Sequence, residues 1–256
     1  MANNEQFTQQ AAGGPIKYPD GSVLLRPQSI RGPLLIVFVL LLAAGCVIGY
    51  FAINAFSANV LHAAENEKAR VQELVAASPS LNVPVVANYL AFDDIPCITA
   101  LEETGAVLTD LPRSGENTDT VDVAKVNEGV TPEQTLTVFQ DADPTIGAFT
   151  AAQTLIGAWR FSVNRDDGTA MRLRYADFAS GSPTAALQNA LTLQGYTEDL
   201  VVDSGVDESG NTYSTGVVST ELGDSVWRVS VALLSDIYSI KNLPDTAYFV
   251  SVRVTA

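Results

Sequence analysis

Arg160, Arg172 and Arg174 flank a turn signal, Asp166-Asp167-Gly168, and form the one concentrated basic feature of an acidic chain. A three-residue hairpin loop with glycine in the left-handed region fits this spacing. It sets Val163 opposite Met171, Phe161 opposite Leu173 and Trp159 opposite Tyr175, an apolar face throughout. The other face then carries Ser162 opposite Arg172 and Arg160 opposite Arg174. Directly opposed like charges cost roughly 0.2–1 kcal/mol per pair unless something compensates. Two arrangements would do so: acidic side chains from an adjacent strand, or an anion or carboxylate-bearing partner held by Arg160, Arg172 and Arg174.

Carboxylates are plentiful, and two-carboxylate hydrolysis or calcium binding needs little else. The stretch Asp203-Ser-Gly-Val-Asp207-Glu208-Ser-Gly210-Asn211 is similar to the alternating oxygen ligands of a calcium loop, which makes Asp203 and Asp207 the metal candidates. The frame lacks the glycine expected after its fifth position, and a solvated hairpin loop is the simpler reading. Asp93-Asp94 and Asp141-Ala-Asp143 read as helix caps, and Glu102-Glu103 as a solvated helix face.

Much chemistry is missing. The single histidine, His62, falls close after the apolar segment described below, where it reads as a solvated side chain. A Ser-His-Asp triad, a Cys-His pair and a His-ligated zinc site are therefore excluded from the downstream domain. Cys97 is the one cysteine beyond residue 56, so no intramolecular disulfide can form there, and it reads as a small buried residue. There is no glycine-rich phosphate loop with a lysine and no Ser-x-x-Lys pattern. The residue types point to a non-catalytic binding or scaffold module without a cofactor, with a carboxylate-dependent hydrolase as the alternative.

Residues 33 to 56, PLLIVFVLLLAAGCVIGYFAINAF, are uncharged throughout. Twenty-four residues make roughly 36 Å of helix, enough to cross a hydrocarbon core about 30 Å thick. Fourteen of the residues from Leu34 to Phe56 are Leu, Ile, Val or Phe, each favouring insertion by about 0.3–0.6 kcal/mol near the centre. Lys17, Arg26 and Arg31 precede the segment and Lys68 and Arg70 follow it at greater distance, which sets the N-terminus on the cytoplasmic side. The expectation is a single-pass cell-membrane protein with its C-terminal part extracytoplasmic.

Leu42-Ala43-Ala44-Gly45-Cys46 resembles the lipobox of bacterial lipoproteins, which would imply cleavage before Cys46 and a lipid on its sulfur. Ala43 stands where leucine is favoured, and ten mostly apolar residues follow Cys46 in place of a polar tether. An ordinary signal peptide cut near Ser57 would have a shorter apolar region. The apolar run before a β-rich part also resembles pilins, with Arg31-Gly32 in the place of a processing site. Pro33 follows directly, however, and Val37 stands where such proteins carry a glutamate.

Charge divides across the segment. Before it stand three bases and two acids; from Ser57 onward there are eleven bases and twenty-seven acids, a net of −16. So acidic a domain repels nucleic acid and anionic head groups, and its partners are expected to be proteins or other envelope components.

The elements expected around these residues make an α+β protein. Residues 1–32 read as a disordered cytoplasmic tail, 33–56 as a transmembrane helix, and 57–79 as a helical stalk with Leu61, Ala64, Val71 and Val75 on one face. Residues 80–256 read as an extracytoplasmic domain of mostly antiparallel strands with two or three short helices. Strands are expected at 83–92, 107–111, 120–126, 136–140, 155–164, 212–220, 225–235 and 247–255. A short helix over about 95–104 is capped by Asp94 and closed by Gly105, and the clearest helix starts at Ser182-Pro183 and stops at Gly195. Tyr89-x-x-Phe92, a helix, Gly105 and Ser114-Gly115 recur as Tyr175-x-x-Phe178, a helix, Gly195 and Ser204-Gly205. This suggests an internal duplication with halves of about 80–143 and 144–256.

Overall fold

The computed structural model describes residues 81–111, 121–139, 151–165, 168–240 and 243–256, most of a helical run between 50 and 77, and the dipeptides 16–17 and 23–24. Two units are present, Met1–His62 and Ala63–Ala256. In the first, Ile16–Lys17 pairs antiparallel with Val23–Leu24, so the described residues of the tail read as disordered carry a strand pairing. The expected span at 33–56 lies almost wholly outside the described residues, as does Cys46. Among the described residues no helix is long and apolar enough to cross a membrane.

The second unit is an α+β fold built on one antiparallel sheet of eight strands. In chain order these are β1 (Leu108–Asp110), β2 (Val121–Lys125), β3 (Trp159–Asn164), β4 (Ala170–Asp177), β5 (Val201–Val206), β6 (Thr212–Thr220), β7 (Gly223–Leu233) and β8 (Tyr248–Thr255). Their order across the sheet is β1-β2-β3-β4-β8-β7-β6-β5. Each half is a meander of four consecutive strands, and the two last strands, β4 and β8, meet in the middle. The helices are α1 (Asp94–Glu103), α2 (Pro132–Phe139), α3 (Ala151–Leu155), α4 (Pro183–Gln194) and α5 (Leu234–Ile237).

Successive side chains of a strand point to opposite faces, so in-register strands sort their residues into two layers. One layer is apolar from β2 to β7: Val123, Phe161, Leu173, Val252 and Val229 form one row across five strands, each at most 1% exposed. Helix α1 adds Cys97 and Leu101 to this core, and α4 adds Ala186, Leu187, Ala190 and Leu191. Helix α4 begins as its sequence dictates. The Ser182 hydroxyl accepts from the Ala185 N–H, Pro183 takes the first turn, and Gly195, at φ 73°, closes it with its N–H on the Leu191 and Thr192 carbonyls. On the other layer, Val138, Phe139, Leu155, Leu234, Tyr238 and Val71 form a second cluster over Ala176. Val71, expected on one face of the stalk helix with Leu61, Ala64 and Val75, is 2% exposed, while Leu61 is 63% exposed.

Four expectations are corrected. Residues 83–92 form a 3-10 helix, Val86–Tyr89, where a strand was expected. The Gln194 carboxamide takes the place of a strand neighbour, accepting from the Val86 N–H at 2.9 Å and donating to the Pro84 carbonyl at 3.0 Å. Residues 136–140 were expected as a strand, yet α2 runs to Phe139. Its start is a reciprocal cap: Thr131 N–H donates to Gln134 Oε1, and Gln134 N–H to Thr131 Oγ1. The expected strand 155–164 begins only at Trp159, because Ala151–Leu155 is helical. Finally, β5 occupies part of a stretch read as loop; it lies at the sheet edge with five of its six residues exposed, so it lacks the alternation that marks a half-buried strand.

Candidate functional site

The hairpin around Gly168 has the register that the loop length implies. Val163 faces Met171, Phe161 faces Leu173, Trp159 faces Tyr175, Ser162 faces Arg172 and Arg160 faces Arg174. Gly168 has φ 104°. The opposed arginines are therefore real neighbours on the layer opposite the main core, and the compensation expected from an adjacent strand is present for one of them. Asp122 of β2 accepts from Arg160 Nε at 2.8 Å and also pairs with its Nη2.

Two further arginines join the same layer from strands that no local pattern links to the hairpin. Arg253 of β8 is the direct partner of Arg172 on one side and of Arg228 in β7 on the other. One row thus crosses seven strands: Asp122, Ser162, Arg172, Arg253, Arg228, Thr215 and Asp203. The next row holds Arg160, Arg174, Ser251, Ser230 and Tyr213. Five of the chain's fourteen lysines and arginines stand on this patch, in a molecule of net charge −15.

Four of the five are held in different ways. Arg160 is bound to Asp122. Arg228 lies 4.1 Å from the Tyr213 ring centroid and 3.5 Å from an Asp207 oxygen. Arg253 is exposed and makes no ion pair among the described residues. Arg174 is half-buried, and its Nε is enclosed with no hydrogen-bond partner among the described residues. Burial, then the charges of Arg160 and Arg172, push the Arg174 guanidinium below its ordinary value, with Asp122 opposing. Beside Arg172, Arg174 and Arg253 opens a cleft of about 380 Å³ lined also by Ser162, Asn164 and Thr255. Three like-charged pairs are opposed in register, a cost of roughly 0.5–3 kcal/mol in all. Asp122 and Asp207 offset the two ends; the centre at Arg253 is left positive.

Both metal candidates hold hydrogen bonds within their own hairpin. Asp203 accepts from the Tyr213 hydroxyl at 2.8 Å. Asp207 closes its own turn, taking the N–H groups of Ser209 and Asn211 at 3.0 Å each, and these bonds hold its carboxyl below the usual range. Among the described residues no group of three or more His, Cys, Asp or Glu is arranged to hold a metal. Asp94, expected as a cap, is the first residue of α1 and pairs with Arg165 at 3.2 Å. Asp141 and Asp143 lie outside the described residues. Cys97 is fully buried, and burial pushes its thiol up to about 11.

The sequence shows that Arg228 and Arg253 alternate with apolar neighbours, and hence that they face away from the core. Their adjacency to Arg172 follows from strand order, which no short-range signal carries. No protein-family model, no curated protein and no solved structure matches this chain.

Proposed function

We propose that the protein is a membrane-anchored, non-catalytic binding module of the cell envelope, held by one span at 33–56 with its folded domain outside the cytoplasm, and that the arginine face receives an anionic ligand. The anchoring half of this reading is supported by the length and apolarity of the segment and by the change of charge across it, +1 before and −16 after. The binding half rests on one observation, the in-register run Arg172, Arg253, Arg228 with Arg174 beneath it. Three guanidinium groups in adjacent strands repel one another, and an oxyanion laid on them would turn that repulsion into charge-assisted hydrogen bonds.

The repeated plan expected from the sequence is supported in altered form. Helix α1 ends at Gly105 and α4 at Gly195, and each is followed by a hairpin that forms one edge of the sheet and then by two further strands. This favours halves of 94–177 and 183–255 over a division near 143. Tyr89 lies in a 3-10 turn and Tyr175 in β4, so that part of the match is not kept.

The test of function is isothermal titration of the protein in detergent with sodium phosphate, sulfate and citrate at low ionic strength. Saturable heat that disappears in Arg174→Gln is expected; no heat with any of the three overturns the anion reading. Mass spectrometry of the mature protein tests the anchor. An intact N-terminus is expected, and a chain beginning at Cys46 with added lipid mass would replace the span by a lipoprotein.

A further inference from the structure

The arginine row has a length, and both ends of it are acidic. Going across the strands, Asp122 stands at one end and Asp203 at the other, with Ser162 and Thr215 just inside them and three arginines between. Neighbouring strands lie about 4.8 Å apart, so the three arginine positions span roughly 10 Å. A single oxyanion is satisfied by one guanidinium fork or two and cannot touch both ends of such a run. Building on the anion reading above, we propose that the row is a ruler for a short linear chain of phosphate groups, lying across β4, β8 and β7 and stopped at each end by a carboxylate.

Direction and chemistry both follow from the placement. The positive positions repeat along the line perpendicular to the strands, so the ligand's charges must repeat along that line. An extended acidic peptide spreads three like-facing side chains over about 13 Å and overruns the row of roughly 10 Å, whereas three directly linked phosphates are short enough to lie inside it. The row is flanked by Ser251 and Ser230, and the cleft at its Arg172 end by Ser162, Asn164 and Thr255. These are small polar groups suited to oxygen-rich surface, and they offer no apolar trough for a peptide or a base. Thr215 is already committed, its hydroxyl donating to the Trp227 carbonyl at 2.6 Å, so it marks an end and not a fourth position.

The three arginines divide the work by how they are held. Arg172 borders the cleft over Arg174 and takes the first group. Arg228 is fixed by the Tyr213 ring and Asp207 and takes the last. Arg253 joins them and has no ion pair among the described residues, so it gains most from the ligand. Beyond the row a longer chain meets the field of a domain whose remaining charge is strongly negative, which selects against extended polyanions.

Titration of the full-length protein in detergent with orthophosphate, tripolyphosphate and hexaglutamate tests this. Tripolyphosphate should bind at least tenfold more tightly than orthophosphate, and hexaglutamate more weakly than tripolyphosphate. In Arg253→Gln the advantage of tripolyphosphate over orthophosphate should fall below threefold. The variant should melt at the same temperature as the parent or higher, because an exposed like charge is removed, and this shows that any loss is not misfolding. Equal affinity for orthophosphate and tripolyphosphate would overturn the ruler and leave a single-anion site. Tighter binding of hexaglutamate would overturn the phosphate assignment. Absence of heat with all three would overturn the anion reading itself.

Discussion

Asp122 grips Arg160 with both carboxylate oxygens, reaching diagonally from β2 to β3. The side chains are 6% and 14% exposed, so the pair is largely withdrawn from water. The charge of Asp122 offsets that of Arg160 where Arg160 stands against Arg174.

Removal of that carboxylate should therefore be severe. Asp122→Ala is expected to lower unfolding free energy by about 3 kcal/mol, the range for breaking one partner of a buried pair. Asp122→Ala/Arg160→Met should recover at least half of the loss. Urea denaturation followed by circular dichroism measures both, and additive losses in the double variant would show that the two side chains do not act as a pair.

Gln194 ties the end of α4 to the 3-10 helix through two buried hydrogen bonds. Gln194→Leu keeps the volume and strands the Val86 N–H and the Pro84 carbonyl, at a cost of about 2–4 kcal/mol. Hydrogen exchange should locate the damage, with Val86 losing protection before the strands do. Unchanged protection at Val86 would mean that water replaces the carboxamide.

Gly216 has no room for a side chain. A Cβ there would lie 1.9 Å from the Leu200 carbonyl oxygen and 2.6 Å from Trp227 Cζ2. Trp227 is fully buried and stacked on Tyr196 at 4.4 Å, so it cannot retreat. Gly216→Ala should cost about 3 kcal/mol and shift the tryptophan emission to the red, while Gly210→Ala, in an open turn, should leave the emission unchanged.

Alkaline pH should unfold the domain through its buried acids. Cys97 is pushed up to about 11 from 9.0, with burial as the main cause, and Tyr175 and Tyr196 are raised from 10.0 for the same reason. A raised pKa favours the protonated folded form. The contribution is complete below the unfolded value near 9 and is lost as pH climbs toward 11. Denaturation midpoints at pH 8, 9.5 and 10.5 should fall steadily, and less steeply in Cys97→Ala. In Cys46→Ala, the remaining thiol should stay unreactive to Ellman's reagent at pH 8 until denaturant is added.

What could be read from residues alone was local. The β3–β4 register follows from loop length, a glycine and strict alternation, and it placed Arg160, Arg172 and Arg174 correctly on one face. Helix α4 was legible because Ser182, Pro183 and Gly195 are punctuation with known geometry. Residues 136–140 have strand-like composition, yet they belong to α2, whose start is set by the Thr131–Gln134 cap just before them. The 3-10 turn at Val86 depends on Gln194, more than a hundred residues away, and no short window contains that bond. The same holds for the site: Asp122, Arg228 and Arg253 each sit in an ordinary alternating strand, and only the order of the strands makes them neighbours.

That order also imposes a schedule on synthesis. Strand β8 is the last of the eight to be made, yet its place is in the interior of the sheet, between β4 and β7. A growing chain can close the meander β1 to β4 early and β5 to β7 later, but no strand pairing joins the two until Tyr248–Thr255 arrives. Arg253 arrives with that strand. The binding row is thus completed in the same event as the sheet, and a chain interrupted before residue 248 would display Arg172 and Arg228 on two meanders that no strand pairing joins.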